Sequence, residues 1–189
     1  MKVVFGLGNP GTPYLKTRHN LGWRAVETLA EKHGWAFHDE KTFHASIAEG
    51  RFGQEKILLV HPLTFMNLSG ECVRSVVQYY KTSLQDVLIV QDELDLPFGQ
   101  LAFKASGGDA GHNGIASIHQ QLATREVARL RLGIGRPTTE QSVEDYVLQP
   151  FPPEEASLVA AILPRAADAI TTWAEQGLAK AMNVWNGVE

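Results

Sequence analysis

Apolar positions along this chain alternate between two rhythms, one of strands and one of helices. Residues 2–7 form a compact apolar run ending in Gly8-Asn9-Pro10-Gly11, which predicts a buried strand entering a loop. Over 21–33, Ala25, Val26, Leu29 and Ala30 recur at helical spacing, and Gly34 supplies a stop. Residues 43–52 and 56–60 alternate loosely on either side of Gly53-Gln54, as in a hairpin. Cys72, Val73, Val76, Val77 and Tyr80 share one face of a helix expected over 67–81. A β-branched and leucine run at 87–90 predicts a second buried strand, which stops at an acidic loop, Gln91-Asp92-Glu93-Leu94-Asp95. A short strand at 101–105 leads into Gly107-Gly108-Asp109-Ala110-Gly111, and Asn113 is placed to cap a helix reaching about Leu122. Residues 130–134 predict another strand, with Gly133 and Gly135 at its end. Pro150, Pro152 and Pro153 break the chain before a helix over 154–185, itself broken near Gly177. The apolar positions of that helix (Val159, Ile162, Leu163, Ala166, Ile170, Trp173) are set to pack on a sheet.

Strands alternating with helices predict an α/β fold: a single domain over 1–189 with a twisted mixed, mostly parallel sheet surrounded by helices and one hairpin. A functional site belongs at the loops leaving the carboxyl ends of such strands. A length of 189 residues, 44% apolar and 20% charged, suits one ordinary globular core. No apolar run is long enough to span a membrane. The first apolar run is too short for a secretion signal, so a cytoplasmic location is expected. The single cysteine, Cys72, rules out an internal disulfide or a Cys-rich zinc site and reads as a small buried hydrophobe. A net charge of −4 gives no global sign of a nucleic-acid partner, so one would need a local basic patch.

Three segments carry candidate chemistry. Gly6-Leu7-Gly8-Asn9-Pro10-Gly11 formally matches the dinucleotide fingerprint G-x-G-x-x-G after a strand. That fingerprint needs a helix to start within it, whereas Pro10 and Pro13 flank the third glycine. The segment reads better as a tight turn that leaves the Asn9 side chain free to make hydrogen bonds. Arg18-His19-Asn20 stands before the first helix, where a histidine is either an exposed capping residue or a base. Asp92-Glu93-Leu94-Asp95 follows a buried strand and is either a solvated turn or a hard-cation site. No nucleophile-elbow, zinc-protease or P-loop motif occurs, and Ser69 has no histidine nearby in sequence.

Taken together the segments resemble a known family. Gly6 to Gly11, Tyr14 and Thr17-Arg18-His19-Asn20 resemble the opening signature of bacterial peptidyl-tRNA hydrolases. Thr64-Phe65-Met66-Asn67-Leu68-Ser69-Gly70, Asp92-Glu93-Leu94-Asp95-Leu96-Pro97, Gly107-Gly108 through Gly111-His112-Asn113-Gly114, and Arg129-Leu130-Arg131-Leu132-Gly133-Ile134-Gly135 resemble four further family blocks, in order. The resemblance implies a monomeric, cofactor-free and metal-free cytoplasmic esterase that cuts peptide from tRNA, with no obligatory protein partner. It implies that His19 is the catalytic base, Asp92 the carboxylate that orients it, and Asn9 the residue that tells blocked from free aminoacyl ends. Tyr14, Phe65, Asn67 and Asn113 match positions lining the cleft for the tRNA 3′ end and the peptide, and Met66 and His112 match cleft positions of less defined role. Lys104 and Arg131 match positions that grip acceptor-stem phosphates.

The chain departs from this pattern at Ala102, where a second lysine often stands, and Asp109 adds a negative charge to the glycine-rich segment. Lys16, Arg18, Arg129 and Arg136 are the available compensating cations, but are expected to be solvated. Two other readings stay open. One is an RNA-binding module of the same fold without hydrolysis; the other is a metal-dependent phosphodiesterase built on Asp92, Glu93 and Asp95.

Overall fold

The computed structural model describes residues 1–187. Seven strands form one sheet: β1 (Lys2–Gly6), β2 (His38–Glu40), β3 (Ala45–Phe52), β4 (Glu55–Pro62), β5 (Val87–Glu93), β6 (Leu101–Lys104) and β7 (Ala128–Gly133). Their order across the sheet is β2-β3-β4-β1-β5-β7-β6. The central four strands, β4-β1-β5-β7, are mutually parallel, while β2, β3 and β6 extend the two edges antiparallel. The 45–62 hairpin, the parallel centre and the flanking helices follow the pattern in the sequence.

The central strands are continuous apolar runs because both faces are covered. In β1, Val4 joins the core beneath α1 (Leu21–His33) and α5 (Ala156–Trp185), while Val3 and Phe5 point into the core beneath α2 (Ser69–Tyr80) and α3 (Asn113–Leu122). Leu88 and Val90 in β5 divide from Val87 and Ile89 in the same way, as the two-residue period of a strand requires. Trp173 of α5 is fully buried in the first core, and Cys72 of α2 in the second, where burial pushes its thiol up to about 12. α5 departs from helical geometry at Gly177 (φ 82°), where the sequence breaks. Among the described residues, no helix is long and apolar enough to cross a membrane.

Two boundaries and one extra element differ from the pattern in ways that matter for the site. β5 does not stop at Val90; it keeps pairing with β7 through Glu93↔Gly133, so Asp92 sits on a strand and not in a loop. α3 is capped by His112, whose Nδ1 accepts from the Ile115 N–H at 3.4 Å, and Asn113 is its first helical residue. A further short helix, α4 (Val143–Val147), was not expected.

The start of α1 is clamped to the ends of two strands. Trp23 N–H donates to Leu7 O, and Leu7 N–H donates to Val90 O, each at 3.0 Å. A side chain at Gly22 would place its Cβ 2.2 Å from Val90 O, so glycine alone permits this approach. The clamp brings the residues just before α1 beside the last residues of β5.

Candidate active site

A cleft of about 610 Å³ opens at the carboxyl ends of β1 and β5. His19 lies on its floor, in the 3₁₀ turn Arg18–Asn20 that precedes α1, and is 7% exposed. Its Nδ1 is 3.0 Å from both oxygens of Asp92, which is 2% exposed. The same carboxylate meets Nε2 of His112 at 3.0 Å, and the two imidazole rings stand 4.8 Å apart. An ionised carboxylate only accepts hydrogen bonds, so Asp92 fixes the proton of neutral His19 on Nδ1 and leaves Nε2 as a bare acceptor. His112 is fixed from both sides: Nε2 donates to Asp92 while Nδ1 accepts from the Ile115 N–H.

Burial shapes both partners, and their charges reverse its effect. Burial lowers the pKa of His19, but the charge and hydrogen bond of Asp92 together outweigh it and raise the group above its ordinary 6.5. Burial would raise the Asp92 carboxyl, and the two histidines overcome that, holding it well below the usual carboxylate range.

Asn9 enters the cleft from the loop after β1. Its Oδ1 accepts from the Met66 N–H at 2.8 Å, which fixes the orientation of the amide, commits one of the oxygen's two acceptor positions and leaves both Nδ2 hydrogens for a ligand. Its backbone is held at both ends by the Asn20 amide. Tyr14 and Phe65 form an aromatic rim, their rings edge to face at 6.3 Å, and Phe65 is 54% exposed. Met66, Asn67, Asn113 and His112 complete the lining expected from the sequence.

Lys104 and Arg131 lie outside the cleft. They share one face of the β6–β7 edge with Ala102 and Arg129, opposite the buried Leu101, Phe103, Leu130 and Leu132. Arg131 pairs in register with Gln91, a residue of the cleft, and its Nη1 is 3.8 Å from Glu93. A polar strip therefore runs from the cleft across β7 to Lys104. Ala102 sits directly opposite Arg131 in register, so the departure from the family pattern falls within this strip.

Two of the four supposed solvated cations are buried. Arg18 bonds to Tyr146 O, Pro150 O and Glu155, and Arg129 to Gly107 O and Gly108 O. Both hold loops by their carbonyls, which a charge count cannot reveal. Lys16 and Arg136 are exposed, and Arg136 pairs with Asp95.

The carboxylates of 92–95 disperse: Asp92 faces the histidines, Glu93 accepts from the Asp95 N–H and Asp95 turns to Arg136. Among the described residues, the group that can gather metal-ligand atoms is instead His19, Asp92 and His112, within 4.8 Å of one another. Nδ1 of His19 and Nε2 of His112 are spent on the carboxylate, and His19 Nε2 stays open.

Several residues in and behind the cleft have no role assigned from the sequence. Gln91 and Glu93 line it from the end of β5, where the sequence predicts a loop, and Asn20 lies behind it, bonded to Asn9. Val143, Val147 and Leu148 add an apolar wall to the cleft. The signal for that wall was present: Ser142-Val143-Glu144-Asp145 has the form of a capping box, and Ser142 Oγ does accept from the Asp145 N–H.

The geometry can be set beside known proteins. The profile of the family described as Peptidyl-tRNA hydrolase matches residues 3–189. The chain is 45% identical over 187 residues to a peptidyl-tRNA hydrolase of Chloroflexus aggregans, covering 98% of this chain and 99% of that one. It is 44% identical over 189 residues to the one of Brevibacillus brevis, both covered in full. The crystal structure of peptidyl-tRNA hydrolase from Acinetobacter baumannii superposes with a TM-score of 0.93 at 34% identity, over 100% of this chain and 96% of that one. By sequence over nearly its whole length and by fold, this chain belongs to the peptidyl-tRNA hydrolase family.

Proposed function

We propose that this protein hydrolyses the ester joining a peptide to the 3′ end of tRNA, with His19 as general base. The observation that carries the reading is the buried Asp92–His19 pair, with Nδ1 of His19 on the carboxylate and the residue at the floor of a cleft. Neutral Nε2 takes a proton from water as the water attacks the ester carbonyl. Asp92 holds the imidazole in the required tautomer and stabilises the imidazolium that forms, as the acid of a Ser-His-Asp triad does, with water replacing the serine. The charge that develops on the carbonyl oxygen needs preorganised donors, and the side-chain amides of Asn9, Asn67 and Asn113 all face the cleft. The imidazolium then returns its proton to the departing ribose oxygen.

Selection for a blocked amino end follows from the fixed amide of Asn9. Its Nδ2 hydrogens suit the carbonyl of a peptide unit and have nothing to offer an ammonium, which itself only donates. The aromatic rim of Tyr14 and Phe65 suits stacking of the terminal adenine or contact with the peptide. The polar strip leading to Arg131 and Lys104 suits acceptor-stem phosphates, which are bound without regard to base sequence. We take the protein to act as a monomer in the cytoplasm.

The test is release of the blocked amino acid from N-acetylated aminoacyl-tRNA, beside unblocked aminoacyl-tRNA, in the presence of chelator. Release from the blocked substrate alone, abolished in His19→Ala, is the expected result. Binding of tRNA without release would favour the RNA-binding reading. Activity restored only by a divalent metal would move the chemistry to the His19–Asp92–His112 cluster as a metal site.

A further inference from the structure

The loop that delivers His112 to Asp92 has little of its own to hold it in place. Ser106-Gly107-Gly108-Asp109-Ala110-Gly111 contains no large apolar side chain to anchor in the core, and Ser106, Gly108 and Ala110 to Gly111 lie toward solvent. Its backbone passes through left-handed or glycine-only regions at Gly107 (φ 128°), Ala110 (φ 51°) and Gly111 (φ 80°). Asp109 bonds inside the loop, to the N–H groups of Gly111 and His112. Ahead of His112, the ties that bind the loop to the rest of the protein lie at its base. Gly107 N–H donates to Arg125 O at 3.2 Å, and the Arg129 guanidinium donates through Nη1 to Gly108 O at 2.9 Å and through Nη2 to Gly107 O at 3.1 Å.

Arg129 is unusual for a basic residue in this protein's polar strip. It is 2% exposed, it stands on β7, and both terminal nitrogens are spent on loop carbonyls. A buried guanidinium used in this way is a rigid two-pronged clamp, and a lysine cannot reproduce its geometry. Four residues beyond Gly108, the chain reaches His112, which bonds to the carboxylate that orients His19.

We infer that Arg129 is a positioning residue for the reaction: it fixes the base of the 106–112 loop and so holds His112 on Asp92. It touches no substrate and acts through His112. The inference rests on the hydrolase reading above. Without Arg129 the loop loses its two charge-assisted hydrogen bonds, His112 is held only from the α3 side, and its hold on Asp92 weakens.

The test is a double-mutant cycle in kcat on N-acetylated aminoacyl-tRNA with Arg129→Met, His112→Ala and the pair. Arg129→Met keeps the length of the side chain and removes its donors. The expected result is a kcat loss of about 5-fold or more in each single variant, with KM within two-fold. The double variant falls no further than the worse single one, and the acid limb of the pH profile moves in the same direction in both. Arg129→Lys recovers part of the loss. Should Arg129→Met not fold, Arg129→Lys takes its place in the cycle. Losses that multiply in the double variant would overturn the inference, as would a raised KM with unchanged kcat, which marks direct RNA contact. His19→Ala run in the same assay separates the two failures: if it retains activity, the hydrolase reading itself falls.

Discussion

Asn20 holds the backbone of Asn9 at both ends, accepting from its N–H at 2.9 Å and donating to its carbonyl at 3.0 Å. Asn20 is 1% exposed and adjoins His19, so one turn of chain fixes both the proposed base and the residue proposed to read the substrate. Asn20→Ala strands two buried main-chain groups, at about 1–3 kcal/mol each. The expected outcome is a stability loss of about 2–4 kcal/mol by urea denaturation, and a fall in kcat/KM even under conditions where the variant is folded.

The pH dependence of hydrolysis should report the Asp92–His19 pair. An imidazole can act as a base only when neutral, and Asp92 raises the pKa of His19, the proposed base, above 6.5. The acid limb of kcat/KM should therefore have its midpoint above 6.5 in the wild type. In Asp92→Asn the downward push of burial is unopposed, so the midpoint moves to lower pH while the plateau drops by about 10²–10⁴. A midpoint unmoved by Asp92→Asn would show that His19 is not the titrating base.

His61 gives a stability effect distinct from the active site. It lies on β4, stacked against Phe37 and Trp23, with Nε2 donating to Trp23 O at 3.1 Å, and burial pushes its pKa down to about 3. Between about 3 and 6.5 the unfolded chain binds a proton that the native chain refuses, so stability falls as pH falls through that window. The loss by pH 5 is about 2 kcal/mol. His61→Phe keeps the stacking and should remove this portion of the difference between urea midpoints at pH 7.5 and 5. The His19–Asp92 pair has the opposite sense on the histidine side, its stabilisation being lost as pH rises through the raised His19 pKa.

Gly22 tests whether the helix clamp sets the catalytic geometry. Gly22→Ala pushes a Cβ into Val90 O, a backbone atom that cannot turn aside. We expect about 1–3 kcal/mol of destabilisation from overpacking, together with a kcat loss larger than that of a similarly destabilising core variant at the far end of the sheet, such as Ile57→Val. Equal losses would mean that the start of α1 has slack.

For RNA binding, Lys104→Ala and Arg131→Ala should each weaken tRNA binding at low salt and lower the salt slope of log K by about 1. The effect should be the same for different tRNAs. Ala102→Lys, which fills the place opposite Arg131, should strengthen binding and steepen the slope. A slope indifferent to all three would place the phosphate path elsewhere.

Much of this protein was legible before its fold. The two-residue and 3.6-residue rhythms located β1, the 45–62 hairpin, α1, α2, α3 and the long C-terminal helix, because burial of one face imposes those periods on any sequence. The resemblance to the family singled out His19, Asp92, Asn9 and most of the residues that line the cleft, whereas the residues by themselves left open whether His19 caps a helix or acts as a base.

Tertiary structure decided what depends on partners distant in the chain. Asp92 continues a strand because β7 offers it a hydrogen-bonding edge 40 residues on, at Leu132. Arg18 and Arg129 resemble surface charges in sequence, yet become buried clamps because carbonyls of 107–108 and 146–150 converge on them. Asn20 and His112 acquire their significance the same way, from atoms 11 and 20 residues away. The sequence by itself determined most of the long elements, though not the short β2 and α4, and which side chains could react, since hydrophobic period and residue chemistry are local. Which polar groups meet was decided only in three dimensions, because a hydrogen bond is specified by two positions and a single chain segment carries only one of them.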